Sequence, residues 1–239
     1  MKSQKIYNLV ILDASGSMES IYSQALSGVN ETLATIRMAQ EEHPELEQHV
    51  TLASFSAGEH FLNRIYSALP IAEAHNITRE DYPLLGCTAL YDAMGTCISE
   101  LQQKVTHDDR VLVTIITDGY ENASRTWSGK QIKSLGEELR QMGWTFTYIG
   151  ADQDVEKVAE EIGVQNSLRF SANAEETDAM FAKERKSRSK FYSKMCCEMA
   201  SPCASMVESN DYFADDEPET PQAPEPQKAG LMDRLFGKK

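Results

Sequence analysis

Asp13, Ser15 and Ser17 stand at alternate positions in NLVILDASGSMES, residues 8 to 20, directly after an apolar run. While a chain is still extended, every second side chain points the same way, so one carboxylate and two hydroxyls here can face one ligand. Hard oxygen donors of this kind suit magnesium, manganese or calcium; zinc and copper prefer nitrogen and sulfur. Two distant segments carry matching groups: Asp118 in IITDG follows another apolar run, and Thr88 in LLGCTALYDAMG precedes a helical pattern. Gly16 leaves the turn into the first helix unhindered, Gly86 precedes Thr88, and Gly119 permits the tight turn after Asp118. Three segments can thus bring five oxygen-bearing side chains together: Asp13, Ser15, Ser17, Thr88 and Asp118.

Such a meeting needs a scaffold whose strands end at one edge. Apolar, β-branched runs at 5–12 (KIYNLVIL), 49–55 (HVTLASF), 110–117 (RVLVTIIT) and 144–150 (WTFTYIG) predict strands, some buried on both faces. Helical spacing fills the intervals at 20–42, 88–105 and 129–143; in the first, Ile21, Leu26, Val29, Leu33 and Ile36 recur at threes and fours. The segment 61–71 (FLNRIYSALPI) follows the second strand across a short polar link and predicts a hairpin edge strand. A short helix at 155–163, a strand at 167–172 and a helix from Glu175 onward complete the domain. The alternation predicts an α/β fold: a doubly wound, mostly parallel sheet with one antiparallel edge strand and helices on both faces. In open sheets of this kind, ligand sites form beyond the carboxyl ends of strands where neighbouring connections leave to opposite faces, and Asp13 and Asp118 both fall there.

The 239 residues, 41% hydrophobic, suffice for one globular domain and a further piece. The domain is expected over 1–195 and a flexible tail over 196–239, because SNDYFADDEPETPQAPEPQ is acidic, proline-rich and too poor in apolar area to order itself. The tail closes on AGLMDRLFGKK, where Leu231, Met232, Leu235 and Phe236 would share one face of a short helix suited to docking in a groove. A helix that short is unstable alone, so a disordered terminus is the alternative. The net charge of −14 opposes nucleic acid and anionic membranes as partners. The basic block KERKSRSKFYSK, residues 183–194, reads as the solvated face of the last helix, with Phe191 and Tyr192 as core contacts. The first apolar run is interrupted at Asp13 and no window reaches the ~20 apolar residues of a membrane span, so a soluble, cytoplasmic protein is expected. Cys87, Cys97, Cys196, Cys197 and Cys203 lack paired C-x-x-C spacing and are expected to be reduced. Cys196, Cys197 and Cys203 could bind a soft metal, but no histidine or second pair lies near them in the sequence.

The D-x-S-x-S of Asp13, Ser15 and Ser17, with Thr88 in GCTALYDA and Asp118 in TDG, resembles the metal-ion-dependent adhesion site (MIDAS) of von Willebrand factor A (VWA) domains. The resemblance runs from residue 5 to about residue 183. It implies one divalent ion, usually Mg2+ with Mn2+ or Ca2+ as alternatives, ligated directly by Ser15, Ser17 and Thr88, with Asp13 and Asp118 often acting through water. One coordination position would be left for an Asp or Glu of a protein partner. Neutral hydroxyls leave the ion electrophilic, so an incoming carboxylate gains more than it would in an acid-lined cage. The resemblance also implies a non-enzymatic intracellular adaptor or scaffold, with an AAA+-type ATPase or a stress-response assembly among the partners of such members. Secreted adhesion proteins fit less well, for want of a targeting segment or disulfide framework.

Two other readings compete. In one, Ser15, Ser17 and Thr88 are simply helix caps, with Asp92 a favourable charge at a helix start. Alternatively, Asp13 is the nucleophile of a magnesium-dependent phosphohydrolase or phosphotransferase, with Asp118 holding the metal. Against the enzyme, alanine, serine and glycine stand where a second acid is wanted, and no histidine neighbours a nucleophile in sequence.

Overall fold

The computed structural model describes residues 4–151, 154–200 and 211–214. In chain order the elements are β1 (Gln4–Asp13), α1 (Tyr22–Glu42), β2 (Leu46–Phe55), β3 (Leu62–Pro70), α2 (Leu90–Gln102), β4 (Arg110–Thr117), α3 (Gly129–Gln141), β5 (Trp144–Ala151), α4 (Val155–Glu161), β6 (Asn166–Phe170) and α5 (Ala174–Ala200), with short 3-10 turns at Gly16–Ile21 and Ile71–Glu73. The sheet runs β3-β2-β1-β4-β5-β6 and is parallel except for the hairpin edge β3. This is the doubly wound sheet expected from the alternation of patterns.

The apolar runs are continuous because both faces are covered. Ile6, Val10 and Leu12 of β1 pack with Val29, Leu33 and Ile36 of α1 and Phe181 of α5. Tyr7, Leu9 and Ile11 face the other way, onto Leu90, Met94 and Ile98 of α2 and Ile132 of α3. The strand order reverses between β1 and β4, so their carboxyl ends border the crevice where such sheets hold ligands.

Several boundaries move, for local reasons. β2 begins at Leu46, not 49, because Leu46, Glu47 and Gln48 pair with Gln4, Lys5 and Ile6 despite the polarity of Glu47 and Gln48. The first helical pattern opens as a 3-10 turn before α1. α2 starts at Leu90 and not 88, because Ala89 holds a non-helical backbone (φ −98°, ψ 62°), with the Thr88 N–H on the Asn122 side chain and the Ala89 N–H on the Ser56 carbonyl. β6 ends at Phe170 rather than 172.

The basic block on α5 departs most from expectation. Glu184 and Arg188 are fully buried and Tyr192 nearly so. The Arg188 guanidinium donates to Glu184 Oε1 (2.8 Å), Asn8 Oδ1 (3.0 Å) and Thr114 Oγ1 (2.8 Å), and Tyr192 donates to the same Asn8 oxygen at 2.7 Å. Burial opposes the charge on Arg188, yet the Glu184 carboxylate with the Tyr192 and Tyr212 hydroxyls holds its guanidinium above the ordinary value. Phe191 and Tyr192 are core contacts, as expected.

Of the tail, Asp211–Ala214 lies among the described residues, and Tyr212 is buried there, its hydroxyl 3.2 Å from Glu184 Oε1 and its N–H 3.1 Å from Asn166 Oδ1. The segment with Leu231, Met232, Leu235 and Phe236, like Cys203, lies outside the described residues. Among those described, no helix is long and apolar enough to cross a membrane.

Candidate metal centre

The end of β1 is laced to two loops by backbone bonds. The Ala14 N–H reaches the Phe55 carbonyl at 2.6 Å, the Leu85 N–H reaches the Ala14 carbonyl at 2.7 Å, and the Gly16 N–H reaches the Gly86 carbonyl at 3.1 Å. Tyr82, buried beneath, donates its hydroxyl to the Asp13 carbonyl at 2.5 Å. Gly86 holds a φ of +61°, a left-handed conformation that a side chain would strain, and this turn delivers Thr88. From the other side, Thr88 and Asn122 exchange two bonds of 3.0 Å each.

These constraints bring the five expected side chains to one place. Ser15 Oγ lies 3.1 Å from Ser17 Oγ, and Ser17 donates to Asp118 Oδ1 at 2.6 Å. Asp13 accepts from the Ser15 N–H at 2.7 Å and from the Thr117 hydroxyl at 2.6 Å. A Cβ placed on Gly119 would stand 3.1 Å from Thr88 Oγ1, 3.6 Å from Ser17 Oγ and 3.9 Å from Asp13 Oδ2. Three segments therefore aim oxygens at one small cradle that the missing side chain of Gly119 leaves open.

The cradle has a buried floor, with Asp13 at 0% exposure, Ser15 at 2% and Thr88 at 2%, and an accessible rim in Ser17 and Asp118. Burial pushes the Asp13 carboxyl up to about 6, against the hydrogen bonds from Thr117 and Ser15 that favour its charge, and with Asp118 adding repulsion. An all-oxygen donor set with a desolvated carboxylate in its floor fits a hard divalent cation.

The capping reading fails on geometry. Ser15 precedes the 3-10 turn but makes no side-chain cap bond, and the residue preceding α2 is Ala89. Asp92 stands in the first turn of α2, as its reading as a helix-start charge has it, and does more besides: its carboxylate is buried and accepts the backbone N–H groups of Arg125, Thr126 and Trp127 at 2.7 to 2.9 Å.

Solved structures share this architecture at low identity. The PilB minor pilin from Streptococcus sanguinis matches with a TM-score of 0.55 and 15% identity over 80% of this chain and 62% of that one. The pilus adhesin SpaC from Lactobacillus rhamnosus GG gives 0.58 and 12% over 80% and 31%. The SpRpn10 VWA domain gives 0.51 and 9% over 74% and 94%. The fold is VWA-like. At these identities the likeness concerns the fold, and the chain spans less than two thirds of the pilin and under a third of the adhesin. No protein-family model and no curated protein matches the sequence.

Within the VWA-like fold, sequence reasoning missed the supports of the cradle: Thr117, Tyr82, Asn122 and Glu121. Glu121 accepts from the Tyr91, Ala123 and Ser124 N–H groups and from the Ser124 hydroxyl, fixing the loop after Asp118 to the start of α2. The polar run after TDG was the available signal for Glu121 and Asn122; nothing marked Tyr82. No histidine neighbours Cys196 in the sequence, but the fold brings one from 153 residues away: His43, whose Nδ1 lies 3.1 Å from its sulfur.

Proposed function

We propose that this chain is a protein-binding module, an adaptor or scaffold, that works through a divalent cation held at the cradle and captures an acidic side chain of its partner. The observation that carries this reading is the convergence of Thr88 Oγ1, Ser17 Oγ and Asp13 Oδ2 about the open Cα of Gly119. Ser15, Ser17 and Thr88 would hold Mg2+, or Mn2+ or Ca2+, directly, with Asp13 and Asp118 acting through water. The cation, when bound, supplies a positive charge at the rim that a carboxylate from outside can meet. Ser17 and Asp118 lie where that carboxylate arrives, and the buried floor fixes them. A pilus adhesin among the fold's neighbours is consistent with binding as the activity. An AAA+-type ATPase or a stress-response assembly is the setting in which we place the partner.

The phosphotransferase alternative meets an obstacle in the same geometry. An aspartyl nucleophile needs an accessible oxygen, whereas Asp13 has no exposure and both its oxygens accept hydrogen bonds.

Calorimetric titration of chelator-stripped protein with magnesium and manganese tests the proposal. One equivalent should bind, with a rise in melting temperature. Ser15→Ala and Thr88→Ala should lose both the uptake and magnesium-dependent capture of glutamate-bearing peptides, while circular dichroism stays unchanged. Wild-type protein that takes up neither ion would overturn the reading, and magnesium-dependent hydrolysis of a phosphate ester that disappears in Asp13→Asn would replace it with the enzyme.

A further inference from the structure

At the other end of the sheet, three donors of different chemistry meet. His43 Nδ1 lies 3.1 Å from Cys196 Sγ, Cys196 Sγ lies 2.8 Å from Glu45 Oε1, and His43 Nδ1 lies 3.9 Å from Glu45 Oε1. We infer that His43, Glu45 and Cys196 form a second metal site, of the zinc class, with its fourth coordination position open to solvent.

The donor set is the first argument. One imidazole nitrogen, one sulfur and one carboxylate oxygen form a mixed set that zinc accepts and that magnesium or calcium, which want oxygen alone, do not. Three protein ligands with one vacancy is also the pattern of zinc sites that remain reactive or accept an outside ligand.

Distance is the second. Tetrahedral bonds of about 2.3 Å to sulfur and about 2.1 Å to nitrogen and oxygen put the donors roughly 3.4 to 3.6 Å apart. The observed separations, 2.8 to 3.9 Å, straddle that range, so closure around an ion needs side-chain shifts of under about 1 Å.

The third argument is the rigidity of the backbone behind the donors. His43 closes α1, with its N–H on the Ala39 carbonyl at 2.9 Å and its own carbonyl accepting the Leu46 N–H at 3.0 Å. The Glu45 carbonyl accepts the Gln4 N–H at 3.2 Å, tying the same link to β1. Cys196 projects from α5, which packs along α1 so closely that a Cβ on Gly28 would stand 2.2 Å from the Phe181 ring. His43 and Cys196 are half-buried and Glu45 exposed, so the site is open to entry. An ion here would staple α5 to the α1–β2 link.

The site is independent of the oxygen cradle. β2 begins at Leu46, beside this cluster, and β1 ends at Asp13, nine residues along the sheet from its start at Gln4, so the two lie about 30 Å apart.

The test uses the full chain, reduced, stripped of metal and then saturated with magnesium, and titrated with Co2+ as a spectroscopic substitute before zinc is added. One equivalent of Co2+ should produce thiolate-to-cobalt charge-transfer absorption that zinc then erases. Cys196→Ser should abolish that absorption, and His43→Gln should weaken binding by about 10-fold or more, since even partners of a ligand commonly cost that much. Cys197→Ser and Ser15→Ala should leave it unchanged. Absence of the band in the wild-type chain, its survival in Cys196→Ser, or its loss in Cys197→Ser would each overturn the assignment. The Ser15→Ala control separates this result from the fate of the oxygen cradle.

Discussion

Asp13 is the residue at which stability and the proposed function pull apart. Its folded-state carboxyl is pushed up to about 6 from a reference value of 3.8, chiefly by burial. A raised folded-state value means that the carboxyl's contribution to stability is complete below 3.8 and is lost as pH rises through about 6. In chelator at pH 7 the charged form therefore costs the fold about 3 kcal/mol. Asp13→Asn removes that charge at nearly constant shape, and the new amide can donate to Thr117 Oγ1, whose proton can turn to the Gly119 carbonyl at 3.1 Å. The expected outcome is a higher melting temperature than wild type in chelator at pH 7, a difference that closes by pH 4, and no further rise on adding magnesium; calorimetry across that range checks it. Gly119→Ala approaches the same cradle from the opposite wall. Its Cβ would stand 3.1 Å from Thr88 Oγ1, in the space where a cation would sit, at a backbone position without positive φ. Folding should survive and magnesium uptake should fall by at least about 10-fold, read by titration calorimetry.

At the scale of elements, the cradle depends on how the loop after β4 is pinned to α2. Asp92 takes three backbone N–H groups of that loop, Glu121 reaches back to the Tyr91 N–H, and the Trp127 ring lies against Gly95, where a Cβ would come within 2.1 Å of it. Gly95→Ala would gain up to about 1 kcal/mol of helix propensity and lose about 1 to 3 kcal/mol to overpacking, because Trp127 cannot retreat without dragging the loop. Net destabilisation by about 1 kcal/mol is expected in urea unfolding, with weakened magnesium uptake because Asn122, which braces Thr88, rides on the same loop. What the sequence revealed and what it hid divide along this line. Asp13, Ser15 and Ser17 were legible because period-two spacing after an apolar run is a local signal, and Thr88 and Asp118 because each borders such a run or a helix. Thr117 serves Asp13 from 104 residues away, and His43 meets Cys196 across 153, so only the packed chain shows which of many polar residues become neighbours. Arg188 was misread for a related reason: its partners Asn8 and Thr114 sit inside strands whose apolar pattern gave no sign of a polar pocket.

Over the whole molecule, the proposed metal site and the seat of Tyr212 occupy opposite ends of the sheet. The oxygen cradle lies past the carboxyl ends of β1 and β4, whereas Tyr212 is seated near the amino ends of β4, β5 and β6, bonded to Asn166 at the start of β6 and to Glu184 on α5. That seat closes over the Arg188–Glu184 pair, which needs every surrounding hydroxyl because a buried ion pair gains little once its hydration is lost. Sites this far apart that share no partner should contribute additively. Tyr212→Ala would remove a ring that is 8% exposed and strip Glu184 of one hydrogen-bond donor, so it should cost about 3 kcal/mol of stability. Magnesium affinity should remain at the wild-type value, and urea unfolding paired with titration calorimetry separates the two quantities. A parallel loss of affinity would mean that α5 and the Asp211–Ala214 segment reach the cradle through the sheet, and that the two ends of the sheet are coupled.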